Sequence, residues 1–229
     1  MSFLLPLLMF LIFVACVAVL YTEGMWGNAI CLINVTTAAL LATNFFEPVA
    51  AWLEGMGPTY SYVWDFLALW GLFAVFMTLL RLGTDLLSRV RVRFLKIADR
   101  IGSTFFACWV GWVMVCFTMM TLHAAPLARN FLGGAFRPEQ RMFLMGLAPD
   151  RRWLGFVQKQ SRGAFCRSVG EDDDLDVRPG WKTQWTEDET RTFDPRSEFM
   201  PKYATRRANL EGYNKRFGSI RVNLKELPK

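Results

Sequence analysis

The chain has 229 residues, 53% of them hydrophobic and 20 of them Phe, and its mean hydropathy of +0.22 excludes an ordinary water-soluble domain and points to the membrane class. Residues 1–126 hold six acids and six bases, whereas residues 127–229 hold 14 acids and 20 bases, so the whole net charge of +6 lies in the C-terminal part. The cysteines Cys16, Cys31, Cys108, Cys116 and Cys166 form no disulfide framework, and no nucleic-acid-binding, zinc, phosphate-loop or nucleophile motif is present, so no cofactor, metal or nucleic-acid partner is expected.

Residues 1–22 carry no charged side chain, and an apolar run of about 20 residues crosses about 30 Å of hydrocarbon. The run lacks a basic start and a small-residue cleavage site, and a second apolar run follows within a few residues. It therefore reads as a retained span and not as a secretion signal. Val14-Ala15-Cys16 has the flavour of a lipid-attachment site, but Phe13 is wrong for the preceding position and the apolar run continues past the cysteine.

Residues 24–46 form the second expected span. Gly27, Cys31, Ala38 and Ala42 make a row of small residues along it, and Asn34 lies at a depth where an amide needs a partner. Glu47 and Glu54 follow in a link without bases. The third span, Tyr60 to Leu80, is interrupted only by Asp65, which is expected to reach water at the outer end; a polar path through the membrane is the alternative.

The link after span three holds all six bases of the membrane half: Arg81, Arg89, Arg91, Arg93, Lys96 and Arg100. Between Arg81 and Arg100, Leu82, Leu86, Leu87, Val90, Phe94 and Ile97 recur at three- and four-residue spacings, which predicts a helical interfacial extension of span three. Arg81 and Asp85 are placed to pair within it, and the alternation of Arg89, Arg91 and Arg93 leaves a short strand as the second reading. The fourth span, residues 101–128, carries the small row Ser103, Ala107 and Gly111, flanked by Thr104 and Cys108, with Trp109 and Trp112 on other faces. His123 near its end is read as a solvent contact, with a pH sensor as the alternative.

Short links rich in Lys and Arg stay cytoplasmic. This places the third link inside and both termini and the tail outside, in the periplasm of a bacterium; Arg129, Arg137 and Arg141, close after span four, pull against it. Within the tail, Phe143, Leu144, Leu147, Trp153, Leu154, Phe156, Val157 and Phe165 predict a surface helix over about 138–167, started at Pro149-Asp150. Residues 168–200, with Glu171 to Asp176, Pro179, Gly180 and Pro195, read as an extended or disordered connection, and the acidic run lacks calcium-loop spacing. Tyr203 to Phe217 predicts a last short helix.

The fold class expected is therefore all-α: an integral membrane bundle of four transmembrane helices over residues 1–126, with a charged, partly helical C-terminal tail over 127–229. Its partners are the lipid bilayer and, through the small rows, a further copy or another membrane protein.

Several features together resemble the colicin V production protein (CvpA) family over residues 1 to about 126. They are Asp99-Arg100 directly before a span of small residues, the short turn around Gly24, the exit Phe45-Phe46-Glu47-Pro48 from span two, and Pro126 after span four. The family's row after the Asp-Arg pair is usually glycine, but here Ser103 and Ala107 replace two of three, and Glu23 stands where the family has a base. The resemblance implies a bacterial inner-membrane protein needed for colicin V production and envelope integrity, with no established chemical activity. Some relatives carry a periplasmic serine protease after the spans; this tail is not one, because the sole histidine, His123, lies at the end of span four. A channel or transport module and a scaffold presenting the tail are the rival functions.

Overall fold

The computed structural model describes residues 3–56, 61–87, 95–125, 146–162, 192–194 and 197–217. Among them every regular element is helical: α1 (Leu4–Leu20), α2 (Met25–Met56), α3 (Ser61–Leu87), α4 (Lys96–Ala124), α5 (Pro149–Ser161) and α6 (Phe199–Phe217). Arg89, Arg91, Arg93, Pro126 and the acidic run from Glu171 lie outside the described residues.

Three helices, α2, α3 and α4, are long and apolar enough to cross a membrane, not the four expected. The exception is α1. Its 17 residues extend about 26 Å at about 1.5 Å per residue, short of about 30 Å of hydrocarbon. The helix ends where the chain reverses through Tyr21–Glu23 into Gly24, whose φ of 84° is a left-handed conformation that a side chain resists. The apolar run in the sequence does not show this stop, because Tyr21 and Thr22 extend the uncharged stretch without extending the helix.

The basic link meets expectation in part, for α3 does extend past Leu80, while residues 88–94 lie outside the described residues. Helix α3 continues to Leu87, but Leu95 has extended backbone (φ −56°, ψ 133°), so Lys96 opens α4 and does not close an extension of α3. At the other end, α2 does not finish at Pro48 but runs on to Met56 with the proline inside it.

Helices α2 and α3 pack as an antiparallel hairpin, and α4 lies centrally against α1, α2, α3 and α5. Small residues set the close approaches. Ala38, Ala39 and Ala42 of α2, Ala68 of α3 and Ala107 of α4 are all buried in the common core, as expected where lipid supplies no hydrophobic reason for helices to associate and contact depends on fit. Phe117 of α4 fills the centre, with its ring 4.9 Å from Phe73, 5.5 Å from Trp70 and 6.0 Å from Trp153. A second, smaller cluster joins Leu5 and Met9 of α1 to Val115 and Met119 of α4. Hydroxyls inside the bundle are satisfied locally: Thr43 donates to the Ala39 carbonyl and Thr118 to that of Met114, each at 2.7 Å.

Candidate functional site

The polar side chains of the bundle gather at its two ends, and each end forms a joint. The first joins the α1–α2 turn to the start of α4. The N–H of Met25 donates to Asp99 Oδ1 at 2.9 Å, so a carboxylate from α4 sits at the N-terminus of α2, where exposed amides and the helix dipole favour negative charge. Gly24 serves this turn through its left-handed backbone and not through space, since a Cβ there would stand in ordinary contact, 3.6 Å from the Asp99 carboxylate. Beside it, the fully buried Asn28 donates to the Leu20 carbonyl at 2.9 Å and to the carbonyl and hydroxyl of Ser103 at 3.0 and 2.9 Å. Arg100 lies over the Tyr21 ring at 5.8 Å. Arg81 stands between Glu23 at 3.6 Å and Asp85 at 3.8 Å, so the expected pair with Asp85 has a second carboxylate beside it.

The small rows lie within this frame. Ser103, Ala107 and Gly111 are buried on α4, and a Cβ added at Gly111 would come within 2.9 Å of the Phe13 ring of α1. On α2, Cys31, Ala38 and Ala42 are buried, while Gly27 is half-buried beside Glu23. Asn34 finds its partner in Thr84 of α3, 2.9 Å away. Lys96 is exposed. Sequence reasoning missed Gly102, where a Cβ would collide with Met25, and Asn28, which an isolated amide in an apolar run could have signalled.

The second joint lies at the opposite end, where α5 and α6 dock on the bundle, and it corrects two expectations. His123 is not a solvent contact: it is 0% exposed, and its Nε2 lies 2.9 Å from Asp150 Oδ2 of α5. Asp65 does not reach water either. It is 8% exposed and pairs with Arg206 of α6, while the Tyr203 hydroxyl donates to it. Both sequence readings assumed that a polar group at a span's end meets solvent, whereas here folded protein covers that end.

Further contacts complete the joint. Trp153 Nε1 donates to Thr43 Oγ1 at 3.2 Å, Lys202 pairs with Glu47 at 3.2 Å, and Arg207 donates to the His123 carbonyl at 2.9 Å, near the C-terminal end of α4. Phe199 sits between Tyr203, whose ring is tilted 53° at 4.7 Å, and Phe46 of α2, edge-on at 6.3 Å. Burial first, and then the carboxylates of Asp65 and Glu47, push the Tyr203 phenol far above its ordinary range, which keeps it a hydrogen-bond donor.

Each docking helix is locally well built. Pro149 opens α5 at a position where a missing N–H costs nothing, after Ala148 in a left-handed conformation (φ 39°). Asp194 Oδ1 accepts from the backbone N–H groups of Glu198 and Phe199 at the start of α6, at 2.6 and 3.1 Å. Burial raises the Asp194 pKa, and these two bonds pull it partly back. Among the described residues no group of three His, Cys, Asp or Glu side chains is placed to hold a metal ion.

The two joints thus hold the chain together at both ends, one through residues close to the α1–α2 turn and one through the tail. In comparison with known proteins, the family model described as colicin V production protein matches residues 5–136. Neither a curated protein nor a solved structure matches the chain.

Proposed function

The chain belongs to the colicin V production protein family, and from that membership we propose that it is a non-enzymatic multi-pass protein of the bacterial inner membrane, supporting the production or export of a colicin V-like toxin and envelope homeostasis. The observation that carries this reading is the family match over most of the apolar half, on a bundle whose helices α2, α3 and α4 have membrane-crossing length and composition. Gly24, Asp99 and Ser103 build the first joint, so the motif residues have an architectural use: they fix the turn and register that hold α2 against α4.

The proposed orientation follows from charge. Arg81, Lys96 and Arg100 belong to one end of the bundle, with Arg89, Arg91 and Arg93 between them in sequence, and positive charge favours the cytoplasm. Glu47, Glu54 and Asp65 belong to the other, and α5 and α6 dock there, so this reading puts the tail in the periplasm. A pore between copies is less well supported. The small row of α4, which such a pore would need at its surface, is buried, with Gly111 against Phe13 of α1.

Deleting the gene tests the function. The expected result is impaired secretion of a colicin V-like toxin and raised sensitivity to detergent or bile salts, each restored by the wild-type chain; normal behaviour on both counts would remove the proposal. Labelling single cysteines placed in the third link and in the tail from each side of the membrane tests the orientation. Reagent reaching the link from the periplasm would reverse it.

A further inference from the structure

The second joint contains a titratable pair that the proposed function leaves without a role. His123 and Asp150 are both 0% exposed, and one hydrogen bond of 2.9 Å, from Nε2 to Oδ2, ties the end of α4 to the start of α5. The charged groups that face the imidazole come from both docking helices: Asp150 and Arg151 of α5, and Arg207 of α6, which also donates to the His123 carbonyl. One carboxylate therefore stands against two guanidiniums. The surroundings of the ring are positive on balance before the ring takes up any proton.

Protonating His123 while α5 is docked adds a further positive charge to a site that is already positive and closed to water. Both facts oppose the imidazolium. When α5 leaves, the ring meets water and loses the Arg151 charge, so it protonates in the ordinary histidine range, near about pH 6.5. The undocked state then holds one proton more than the docked state, and acid favours undocking. The rest of the α5 contact does not follow pH in this way, because Trp153, Leu154 and Val157 are buried in the apolar core.

The other carboxylates at this end of the bundle serve α6: Asp65 pairs with Arg206 and Glu47 with Lys202. Asp194 works in the opposite sense. Its raised pKa makes acid strengthen the start of α6, so the sign of the pH effect separates it from His123.

We propose that the His123–Asp150 pair is an acid-sensitive latch: the neutral imidazole donates from Nε2 to the carboxylate and holds α5 on the bundle, and its protonation releases α5. The latch depends neither on the side of the membrane that the tail occupies nor on a role in toxin production.

His123 is the sole histidine of the chain, so its protonation state can be read directly. The full-length chain, labelled with heavy nitrogen at histidine only and purified without a histidine tag, is reconstituted in phosphatidylcholine nanodiscs. Solid-state NMR at about pH 7.5 is expected to show a neutral ring with its proton on Nε2. Hydrogen exchange of α5, corrected at each pH for the intrinsic rate, then measures docking. Its opening constant is expected to rise about tenfold between about pH 7.5 and about pH 5.5, the effect of one proton taken up at an ordinary histidine, while the α1–α2 turn at the opposite end keeps its protection.

His123→Gln keeps a donor for Asp150 but does not titrate, and it is expected to flatten the α5 profile. Asp150→Asn keeps an acceptor and removes the one negative charge that offsets the imidazolium, so it is expected to show at least the wild-type rise. This variant and the wild-type NMR titration decide the matter should His123→Gln fail to fold. An imidazolium at about pH 7.5, a neutral ring protonated on Nδ1, tighter docking in acid, a flat profile in wild type or in Asp150→Asn, or the full rise in His123→Gln would each overturn the proposal.

Discussion

Arg206→Ala isolates the tail's hold on the bundle. The side chains of Asp65 and Arg206 are 12% and 17% exposed, so the pair is far closer to a buried ion pair than to a surface one. Removing one partner of a buried pair costs about 3–5 kcal/mol, because the other charge stays out of water without compensation, whereas exposed pairs are worth about 0–1 kcal/mol. The residual exposure and the remaining Tyr203 bond to Asp65 place the expected cost at the lower end, about 2–3 kcal/mol. Asp65→Asn keeps the shape and removes the charge, and Arg206 can still turn toward water, so about 1–2 kcal/mol is expected. The double variant then costs less than the sum of the singles, with a coupling of at least about 1 kcal/mol. Equilibrium unfolding in mixed micelles, followed by the reaction of a thiol probe with the buried Cys31 and Cys116, measures all four corners of the cycle. Lys202→Ala is the internal control: the Lys202–Glu47 pair is 56% and 35% exposed, and its loss costs under about 1 kcal/mol. If Arg206→Ala unfolds within about 0.5 kcal/mol of wild type, or the two substitutions simply add, the claim that the tail neutralises Asp65 is wrong.

Three other outcomes follow from the same geometry. Gly111→Ala forces a methyl group into the Phe13 ring and is expected to cost about 1–3 kcal/mol, while Gly71→Ala, with open space around it, is expected to be neutral or to stabilise by up to about 1 kcal/mol; the same micelle titration compares them. Asp99→Ala removes the acceptor for the Met25 N–H and is expected to cost about 1 kcal/mol, with Asp99→Asn recovering most of it; equal losses would show that the helix N-terminus is not what Asp99 serves. Asp194 holds its proton more tightly folded than unfolded, so its contribution to stability falls as pH rises from the ordinary aspartate range near about 4 through the raised folded value, then levels off. Asp194→Asn keeps an acceptor for the start of α6 and is expected to flatten that part of the stability–pH curve; an unchanged slope would assign it to another group.

Much of the first joint is legible from residue order because its parts are close to motif positions. Asp99-Arg100 and the turn at Gly24 stand out in the sequence, and their relation to each other follows once α2 and α4 run parallel, side by side, with α1 antiparallel to both. Asn34 likewise announces a need for a partner, and Thr84 supplies it. The second joint is legible only in part. A Pro149-Asp150 helix start and an aromatic, basic helix near Tyr203 can be expected from pattern, but nothing local tells that Asp150 meets His123 or that Arg206 meets Asp65.

The residues alone determined that this is a helical membrane protein. Long uncharged stretches have no other stable place, and in lipid their amides must bond within the segment that carries them. Tertiary structure decided how many of those stretches reach full crossing length, because the stop of α1 is set by the turn at Gly24 and not by a change in hydropathy. It also decided the state of the polar residues at the end of the bundle where the tail docks. Whether an acid such as Asp65 meets water or a guanidinium depends on which segment arrives there, and its partner lies 141 positions along the chain. Apolarity is a property of a segment, but charge compensation is a property of a contact.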